Sequence, residues 1–442
     1  KRQQEVMVEV VLPRQSDGRV SRIWLDGWGV TYRSPLALGE SGVTWQAESD
    51  EAIVAGASGA RLLDISDVRA PLDLGVIDGE RTPAERGHIY WLGFPWQAAE
   101  PARIRPQTTV DRAALDEVDY LIIAPEAFWP ALEPLVEHRQ GQGLAVSVLT
   151  PAQVYDAYGD GRPSPGAIRA LVRELYSQEH LHYLLLVGDA STRLDGYTGE
   201  EGKLRVVTDL VPTAHLHETP SDQTLVVDAR GQPVVAVGRF PAQTPDEVET
   251  MVGKTIAWEA GEPATALVVN DDQADFERFA GDMDQWLATG TQRVEAGQDS
   301  ARSELLEKLE QEGVWLNYVG HGSLALWGDE KLLQRDDRWS EPALVTVWAC
   351  LSGYFVHPQE DSLAEVWLRS PEGGAVAFVG PTGETYLYQQ RPLAQTFYQE
   401  VRDGKSIGEA LLAAWQTAGE AAQDAVQSYL LLGDPALRPN TP

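Results

Sequence analysis

The sequence predicts an α/β protein, with mostly parallel sheets flanked by helices, behind an N-terminal all-β sandwich domain. Two observations predict this fold class. Up to about residue 105, short β-type runs alternate with Gly, Ser and Asp and show no helical period, which is typical of an antiparallel sandwich. Beyond it, apolar strand-like runs alternate with helix-like runs, as in βαβ units. The expected domains are residues 1–105, 106–260 and 261–442.

The N-terminal domain is predicted from its strand-like runs. The clearest are Glu5–Val11, Ile23–Tyr32 and Ile89–Leu92. The following segment, Ala98–Pro106, is polar and punctuated by proline, which suits a linker. Because no obvious catalytic residues occur in this domain, the chemistry is expected in the rest of the chain.

The first α/β set begins after this linker. Its strand-like runs are Tyr120–Ala124, Leu144–Leu149 and Tyr183–Val187, with helix-like runs at Trp129–His138 and Ser164–Glu174. A hairpin is predicted from Leu225–Val227 and Val234–Val237. Thr244-Pro245-Asp246-Glu247 is a capping box with Pro at the first helical position, so a helix is expected to begin there and to end near Trp258.

A second α/β set follows residue 261. Its predicted strands are Ala266–Asn270, Val314–Val319, Leu344–Ala349 and Ala375–Val379. Helix-like runs lie near residues 303–312, 363–368, 393–401 and 407–418. Because these strands are continuous apolar runs, we expect them to be buried on both faces of a sheet.

Two of these strands end in residues that carry chemistry. Val314–Val319 is followed by Gly320-His321-Gly322-Ser323, and Leu344–Ala349 is followed by Cys350, the only cysteine. Side chains that follow parallel strands meet at the carboxyl edge of the sheet. A neighbouring imidazole is the usual means of generating a thiolate near neutral pH. Free cysteine is also a common buried core residue, but the matched histidine segment favours a nucleophile.

These motifs resemble the gingipain family of cysteine peptidases, which are relatives of the caspases. The resemblance is carried by Asn317–Ser323 with Trp327-Gly328, and by Ala349-Cys350 with Gly353 and Phe355. Further segments occur in the order found in that family: Leu184–Asp189, Ser221-Asp222-Gln223, Val237–Phe240, Leu363-Ala364-Glu365 and Leu432–Leu437. The resemblance covers Asp119 to Arg438 and implies two subdomains of caspase-like topology.

The resemblance also implies a third catalytic group, a carboxylate that orients the histidine. It would come from the turn after Asn270, where Asp271 and Asp272 are the candidates. The alternative for this acidic turn is a helix N-cap or a calcium-binding loop.

For substrate binding, the resemblance points to the loop that follows Val379 and to one acidic residue of a nearby helix. The expected residues are Glu384, Thr385 and Tyr386, Asp275 or Asp282, and the tryptophans Trp327 and Trp348. Trp348, two residues before the cysteine, departs from the family, which has a smaller residue there. An indole at this position would narrow or fill the pocket.

Composition limits the partners. With 35 basic and 67 acidic residues the net charge is −32, which argues against nucleic acid and anionic membranes as partners. There is no stretch of 18 or more apolar residues, so no membrane span is expected. Since the chain begins at Lys1-Arg2-Gln3 without a signal-like segment, we interpret it as a processed form or a piece of a longer protein.

The predicted function is that of a cysteine endopeptidase acting on protein or peptide substrates, with a preference for cleavage after Arg or Lys. Cys350 would be the nucleophile and His321 the proton carrier, while the N–H groups of Gly322 and Cys350 would bind the oxyanion. No organic cofactor is required. The resemblance implies structural calcium and a secreted or cell-surface location. Two alternatives stay open: a sortase-like transpeptidase that uses the same pair, and a non-catalytic binding module with a plugged pocket.

Overall fold

The computed structural model describes residues 35–67, 70–97, 107–178, 180–192, 204–287 and 290–439. The predicted strands Glu5–Val11 and Ile23–Tyr32 lie outside these residues. The chain forms two compact units, Lys1–Arg105 and Pro106–Pro442.

The first unit is built from β-strands in its described residues. These are β1 (Val43–Gln46), β2 (Glu51–Ile53), β3 (Arg61–Asp64), β4 (Leu72–Val76), β5 (Arg81–Pro83) and β6 (Ile89–Gly93). One antiparallel sheet has the order β1-β6-β3-β4, and β2 pairs with β5 in a second sheet. Alternate residues such as Leu62, Tyr90 and Leu92 face a small core. The predicted strand at Ile89–Leu92 is therefore confirmed.

The second unit alternates strands and helices. Its strands are β7 (Tyr120–Ile123), β8 (Val146–Leu149), β9 (Tyr183–Val187), β10 (Leu210–Val211), β11 (Thr219–Pro220), β12 (Ala236–Phe240), β13 (Thr265–Asn270), β14 (Gln292–Glu295), β15 (Val314–Val319), β16 (Ala343–Trp348), β17 (Ala375–Pro381) and β18 (Tyr429–Leu432). Its α-helices are α1 (Trp129–Gly141), α2 (Pro151–Tyr158), α3 (Pro165–Tyr176), α4 (Pro245–Glu259), α5 (Ala274–Trp286), α6 (Ala301–Leu309), α7 (Leu363–Arg369), α8 (Leu387–Arg402), α9 (Ile407–Thr417) and α10 (Gln423–Ser428).

Ten of these strands form one sheet, in the order β14-β13-β15-β16-β17-β18-β12-β9-β7-β8. Five neighbouring strands of this sheet, β14, β13, β15, β16 and β17, are parallel to one another, and we call them the second half. The other five, β18, β12, β9, β7 and β8, are also parallel to one another, and we call them the first half. Each half has the order 2-1-3-4-5 when its own strands are numbered along the chain. The halves join through the antiparallel pair β17 and β18. The strands of the two halves therefore have their carboxyl ends at opposite edges of the sheet.

The strands form as predicted because their residues are apolar on both sides. Helices cover the two faces of such a sheet, which suits continuous apolar runs better than alternating ones. Every residue of β9, β15 and β16 is buried. The predicted capping box also forms, since the Thr244 hydroxyl accepts the Glu247 N–H at the start of α4.

The predicted hairpin around residues 225–237 forms at its turn, where Val227 and Pro233 make an antiparallel bridge, but most of its first arm is not a strand. Asp222–Val226 forms a 3₁₀ helix, and the following strand is β12. Arg239 explains the difference, because its buried guanidinium binds both carboxylate oxygens of Asp222 at 2.7 and 2.9 Å and thereby fixes this turn. Among the residues that the structure covers, no helix is long and apolar enough to cross a membrane.

Candidate active site

Strands β15 and β16 bring His321 and Cys350 to the same edge of the sheet. Val319 pairs with Trp348 in their parallel register, and each candidate residue follows two positions beyond that pair. The Gly320 N–H continues the ladder by donating to the Trp348 carbonyl at 3.2 Å. The predicted meeting of the two strand ends is therefore present in the fold.

The glycines beside His321 allow a close approach. A Cβ atom on Gly322 would lie 2.7 Å from the Cys350 carbonyl oxygen and 2.9 Å from the Ala349 Cβ. Both distances are shorter than van der Waals contact, so only glycine permits this packing. The histidine segment consequently lies directly against the backbone of the cysteine turn.

Cys350 is partly buried in a turn that the next residue forces. Leu351 has φ +57°, a left-handed conformation that costs a non-glycine residue about 1–2 kcal/mol. The Cys350 S–H donates to the Thr385 carbonyl at 3.6 Å. Burial and, secondarily, the negative charge of Glu384 raise the pKa of the Cys350 thiol. The thiol therefore needs a base to ionise near neutral pH.

His321 is exposed, and its ring is held by two side chains. Its Nε2 lies 2.8 Å from Nε2 of Gln273, whose amide N–H donates to the ring in this arrangement. Phe276 packs edge-on against the imidazole with ring centroids 5.1 Å apart. The backbone is fixed separately, since the His321 carbonyl accepts from the Tyr318 hydroxyl at 2.7 Å.

Asp271 and Asp272 lie beside His321 but do not contact its ring. The buried Asp271 carboxylate accepts the His321 backbone N–H at 3.0 Å and the Asp272 N–H at 2.8 Å. Asp271 therefore positions the histidine segment, and Gln273 contacts the imidazole. Sequence reasoning stopped at the acidic pair and missed Gln273. Its place in the same turn after β13 is a signal that could have found it.

Three carboxylates form an acidic cluster next to this turn. One oxygen each of Asp271, Asp272 and Glu330 lies within 4.8 Å of the others. Burial and the neighbouring carboxylates Asp271 and Asp272 raise the pKa of Glu330. Ca²⁺ prefers oxygen ligands such as carboxylates, so the chemical type of these three side chains suits a structural calcium ion.

The backbone donors assigned to the oxyanion are available. Within the part of the chain that the structure covers, the N–H groups of Gly322 and Cys350 donate to no protein acceptor. The adjacent Leu351 N–H is engaged by the Gly383 carbonyl at 3.1 Å. Two unengaged donors beside a thiol are what an oxyanion site requires.

Trp348 and Trp327 do not border an open pocket, contrary to prediction. Both are fully buried. The Trp348 Nε1–H donates to the Tyr398 hydroxyl at 2.9 Å, and the Trp327 ring stacks on Tyr318 with centroids 4.3 Å apart. Both indoles are core residues because helices cover each face of the sheet behind the strand ends, so neither presents surface to a substrate.

The other predicted pocket residues fall into two groups. Thr385 contacts the thiol, and Tyr386 follows it on the surface. The helical acids are already paired: exposed Asp275 contacts Arg278, and Asp282 contacts Arg391 of α8. Each of these carboxylates therefore already has an arginine partner within the described residues.

Glu384 differs from both helical acids. Among the residues covered by the structure, no basic side chain pairs with its carboxylate. Its charge acts on the Cys350 thiol. Glu384 is therefore the predicted pocket carboxylate that remains available beside the nucleophile candidate.

Comparisons with known proteins agree with this geometry. The arginine-specific cysteine proteinase gingipain R superposes with a TM-score of 0.57 at 17% identity, over 73% of this chain and 78% of its own. The complex of the RgpB pro- and mature domains from Porphyromonas gingivalis gives 0.58 at 17% identity, over 72% and 79%. These likenesses show the α/β caspase-like fold. No curated protein matches the chain.

The family model for peptidase family C25 matches residues 113–440, which is most of the second unit and the whole of the ten-stranded sheet. The chain therefore belongs to peptidase family C25, the gingipain family of cysteine peptidases.

Proposed function

We propose that this cysteine peptidase is an endopeptidase in which Cys350 and His321 act as a catalytic dyad. The observation that carries the proposal is the contact between the two strand ends, where Gly322 lies against the Cys350 carbonyl. It brings the only thiol of the chain and an exposed imidazole to one edge of the sheet.

The dyad would work by moving one proton twice. His321 takes the proton of the Cys350 thiol, and the thiolate forms a C–S bond with the peptide carbonyl carbon. The imidazolium then protonates the leaving amine as the C–N bond breaks. Water hydrolyses the resulting thioester with His321 again as the base. Gln273 acts as a positioning residue, since its amide holds the imidazole from the side of Nε2.

The developing oxyanion would be bound by backbone donors. The Gly322 and Cys350 N–H groups have no acceptor among the described residues, and Gly322 lies against the backbone of the cysteine turn. A preorganised donor of this kind is typically worth about 10²–10³ in rate.

For specificity, we propose that a basic side chain before the cut bond is recognised by Glu384. This carboxylate is half-buried and unpaired within the described chain, whereas Asp275 and Asp282 are engaged by arginines. A paired charge withdrawn from water discriminates against neutral side chains. Cleavage profiling on a peptide library tests this assignment, and cleavage after Ala, Gly or Ser without enrichment of Arg or Lys would contradict it.

Covalent labelling separates the dyad from the alternatives. A peptidyl electrophile should modify Cys350 in the native protein and leave His321→Ala nearly unmodified. A binding module with a plugged site would not react at all. A transpeptidase would react but would transfer the acyl group to added amines, so product analysis with an amine nucleophile identifies it.

We also propose that the protein binds structural calcium and that it is secreted or located at the cell surface. Asp271, Asp272 and Glu330 would hold the ion, and it would balance their mutual repulsion. A rise in melting temperature on adding Ca²⁺ that Glu330→Gln abolishes would support the site. Fractionation of the producing cells tests the location.

A further inference from the structure

The segment Gly383–Thr385 holds the cysteine turn from both sides. The Leu351 N–H donates to the Gly383 carbonyl at 3.1 Å, and the Cys350 S–H donates to the Thr385 carbonyl at 3.6 Å. Glu384 lies between these two contacts in the sequence. Its backbone therefore cannot move away from the nucleophile without breaking one of them.

The base of the same segment is equally fixed. The buried Thr382 hydroxyl donates to the carbonyls of Pro220 and Ser428 at 2.7 and 2.9 Å. Thr382 thereby joins the loop to β11 and to the end of α10. A segment anchored at both ends keeps the backbone of Glu384 beside the cysteine turn.

Glu384 is the charge that disfavours the thiolate. Together with burial, it raises the pKa of the Cys350 thiol. The other titratable groups in this region are His321, which lies at the same edge of the sheet, and the phenol of Tyr429, whose pKa burial raises well above its ordinary value. Burial and, secondarily, the charge of Glu218 on the β10–β11 connection raise the pKa of Tyr354. In the unliganded protein the electrostatic field at Cys350 thus opposes ionisation.

We propose that Glu384 makes the reactivity of Cys350 depend on the positive charge of the bound substrate. This inference rests on the proposed endopeptidase function. A guanidinium or ammonium group that pairs with Glu384 cancels its charge, so the thiol passes its proton to His321 more readily. A neutral side chain leaves the thiol protonated. Selectivity for basic substrates is then expressed in the acylation rate as well as in binding, and the unoccupied site is protected from stray electrophiles.

The test is the pH dependence of Cys350 alkylation by iodoacetamide, which has one target because the chain has one cysteine. Agmatine supplies a guanidinium that cannot be cleaved, and neutral butylurea is its control. Agmatine should lower the thiol pKa of the native protein by about one unit, which is about tenfold in thiolate fraction below that pKa. Glu384→Gln should show the lower pKa without agmatine and should not respond to it.

Glu312→Gln is the matched control variant. Glu312 is exposed and precedes β15, at the edge of the sheet opposite His321, so removing its charge should leave the thiol pKa and the response to agmatine unchanged. A native protein that ignores agmatine, or a Glu384→Gln variant that titrates like the native one, overturns the proposal. Alkylation requires no hydrolysis, so a chain that responds to agmatine yet cleaves no peptide refutes the endopeptidase and leaves the coupling intact.

Discussion

The two halves of the ten-stranded sheet have the same strand order but carry different groups at their carboxyl ends. In the second half, the Gly320 N–H follows the third strand and donates to Trp348 at 3.2 Å. In the first half, the Gly188 N–H follows the third strand and donates to Phe240 at 2.9 Å. By this correspondence His321 and Cys350 of the second half match Asp189 and Ala242 of the first.

The crevice of the first half is filled by side chains from the rest of the unit. Arg369, at the end of α7, donates to the Pro241 carbonyl at 2.7 Å and to Glu365 at 2.9 Å. It also lies 3.6 Å from the Asp189 carboxylate, which accepts a further bond from the Gln243 amide at 3.0 Å. The same backbone geometry thus gives a closed ionic cluster on one edge and accessible groups on the other.

The carboxyl ends of parallel strands are therefore not sufficient to form a catalytic site. Both halves supply a turn, a polar residue after the third strand and a glutamine amide bound to that residue. Only the second half leaves its polar residue exposed and has a cysteine two residues beyond the neighbouring strand, at the same edge of the sheet.

Replacing the thiol should remove the function of the second half completely. Cys350→Ala is expected to abolish covalent labelling and peptide hydrolysis, because no other thiol exists in the chain. Hydrolysis of a fluorogenic peptide and circular dichroism give activity and fold. Undiminished hydrolysis in a folded variant would contradict the proposed nucleophile.

Replacing the polar residue that follows the third strand should affect the acylation rate in the second half and thermal stability in the first half. His321→Ala should slow acylation by about 10²–10⁴, the usual worth of general base assistance. Asp189→Asn, at the matching position, should lower thermal stability but leave the acylation rate of the folded protein within a fewfold of native. Single-turnover kinetics decide the comparison, and equal rate losses in both variants would show that the halves are not functionally distinct.

Removing the cation of the closed cluster should destabilise the second unit. Arg369→Met leaves the buried Asp189 carboxylate without its cation and the buried Glu365 carboxyl group without a hydrogen-bond donor, which typically costs about 3–5 kcal/mol of unfolding free energy. Denaturant unfolding measures the loss. A variant as stable as the native protein would mean that the cluster contributes nothing to closing this edge.

The same cluster gives a pH dependence of stability. Burial raises the pKa of Glu365 to about 8 from its ordinary value of 4.5, so between these values the folded state binds more protons than the unfolded state. The free energy of unfolding should therefore fall as the pH rises through this window. Unfolding from pH 5 to pH 9 should show this slope, and Glu365→Gln should reduce it.

Loss of a positioning amide should have the smallest effect on rate. Gln273→Ala should reduce kcat by about tenfold with little change in KM, since the imidazole loses one hydrogen bond but keeps its packing against Phe276. Gln273→Asn should recover part of the loss if it can reach the ring. Gln243→Ala, its counterpart in the first half, should leave kcat unchanged. A change in KM alone would indicate substrate binding instead of positioning.

Sequence patterns predicted most strands of both halves, though not β14 or β18, and the helix that begins after Thr244, because these depend on local residue types. They also paired His321 with Cys350, because strand ends of a parallel sheet meet at one edge. They did not predict the 3₁₀ turn at Asp222–Val226, which a buried arginine on the following strand imposes. Local propensity carries no information on such a partner.

The roles of Gln273 and Trp348 escaped prediction for a related reason. Asp271, Asp272 and Gln273 are consecutive residues in the turn after β13. The spacing of residues in the sequence does not show which of these three side chains reaches the imidazole. Trp348 lies on a strand that is apolar throughout, so the sequence does not show whether its indole faces a pocket or the helices. Here Phe279, Tyr398 and Tyr429 enclose it.

The antiparallel pair of β17 and β18 also has a consequence for folding during synthesis. β18 is the last strand along the chain, yet it lies between β17 and β12 in the middle of the sheet. While the ribosome is still producing the second half, the first half exposes β12 as an uncovered edge. Such an edge invites pairing with other nascent chains. We therefore expect slow, late assembly dominated by contacts distant in sequence, and a demand for chaperone protection until residues 429–432 have emerged.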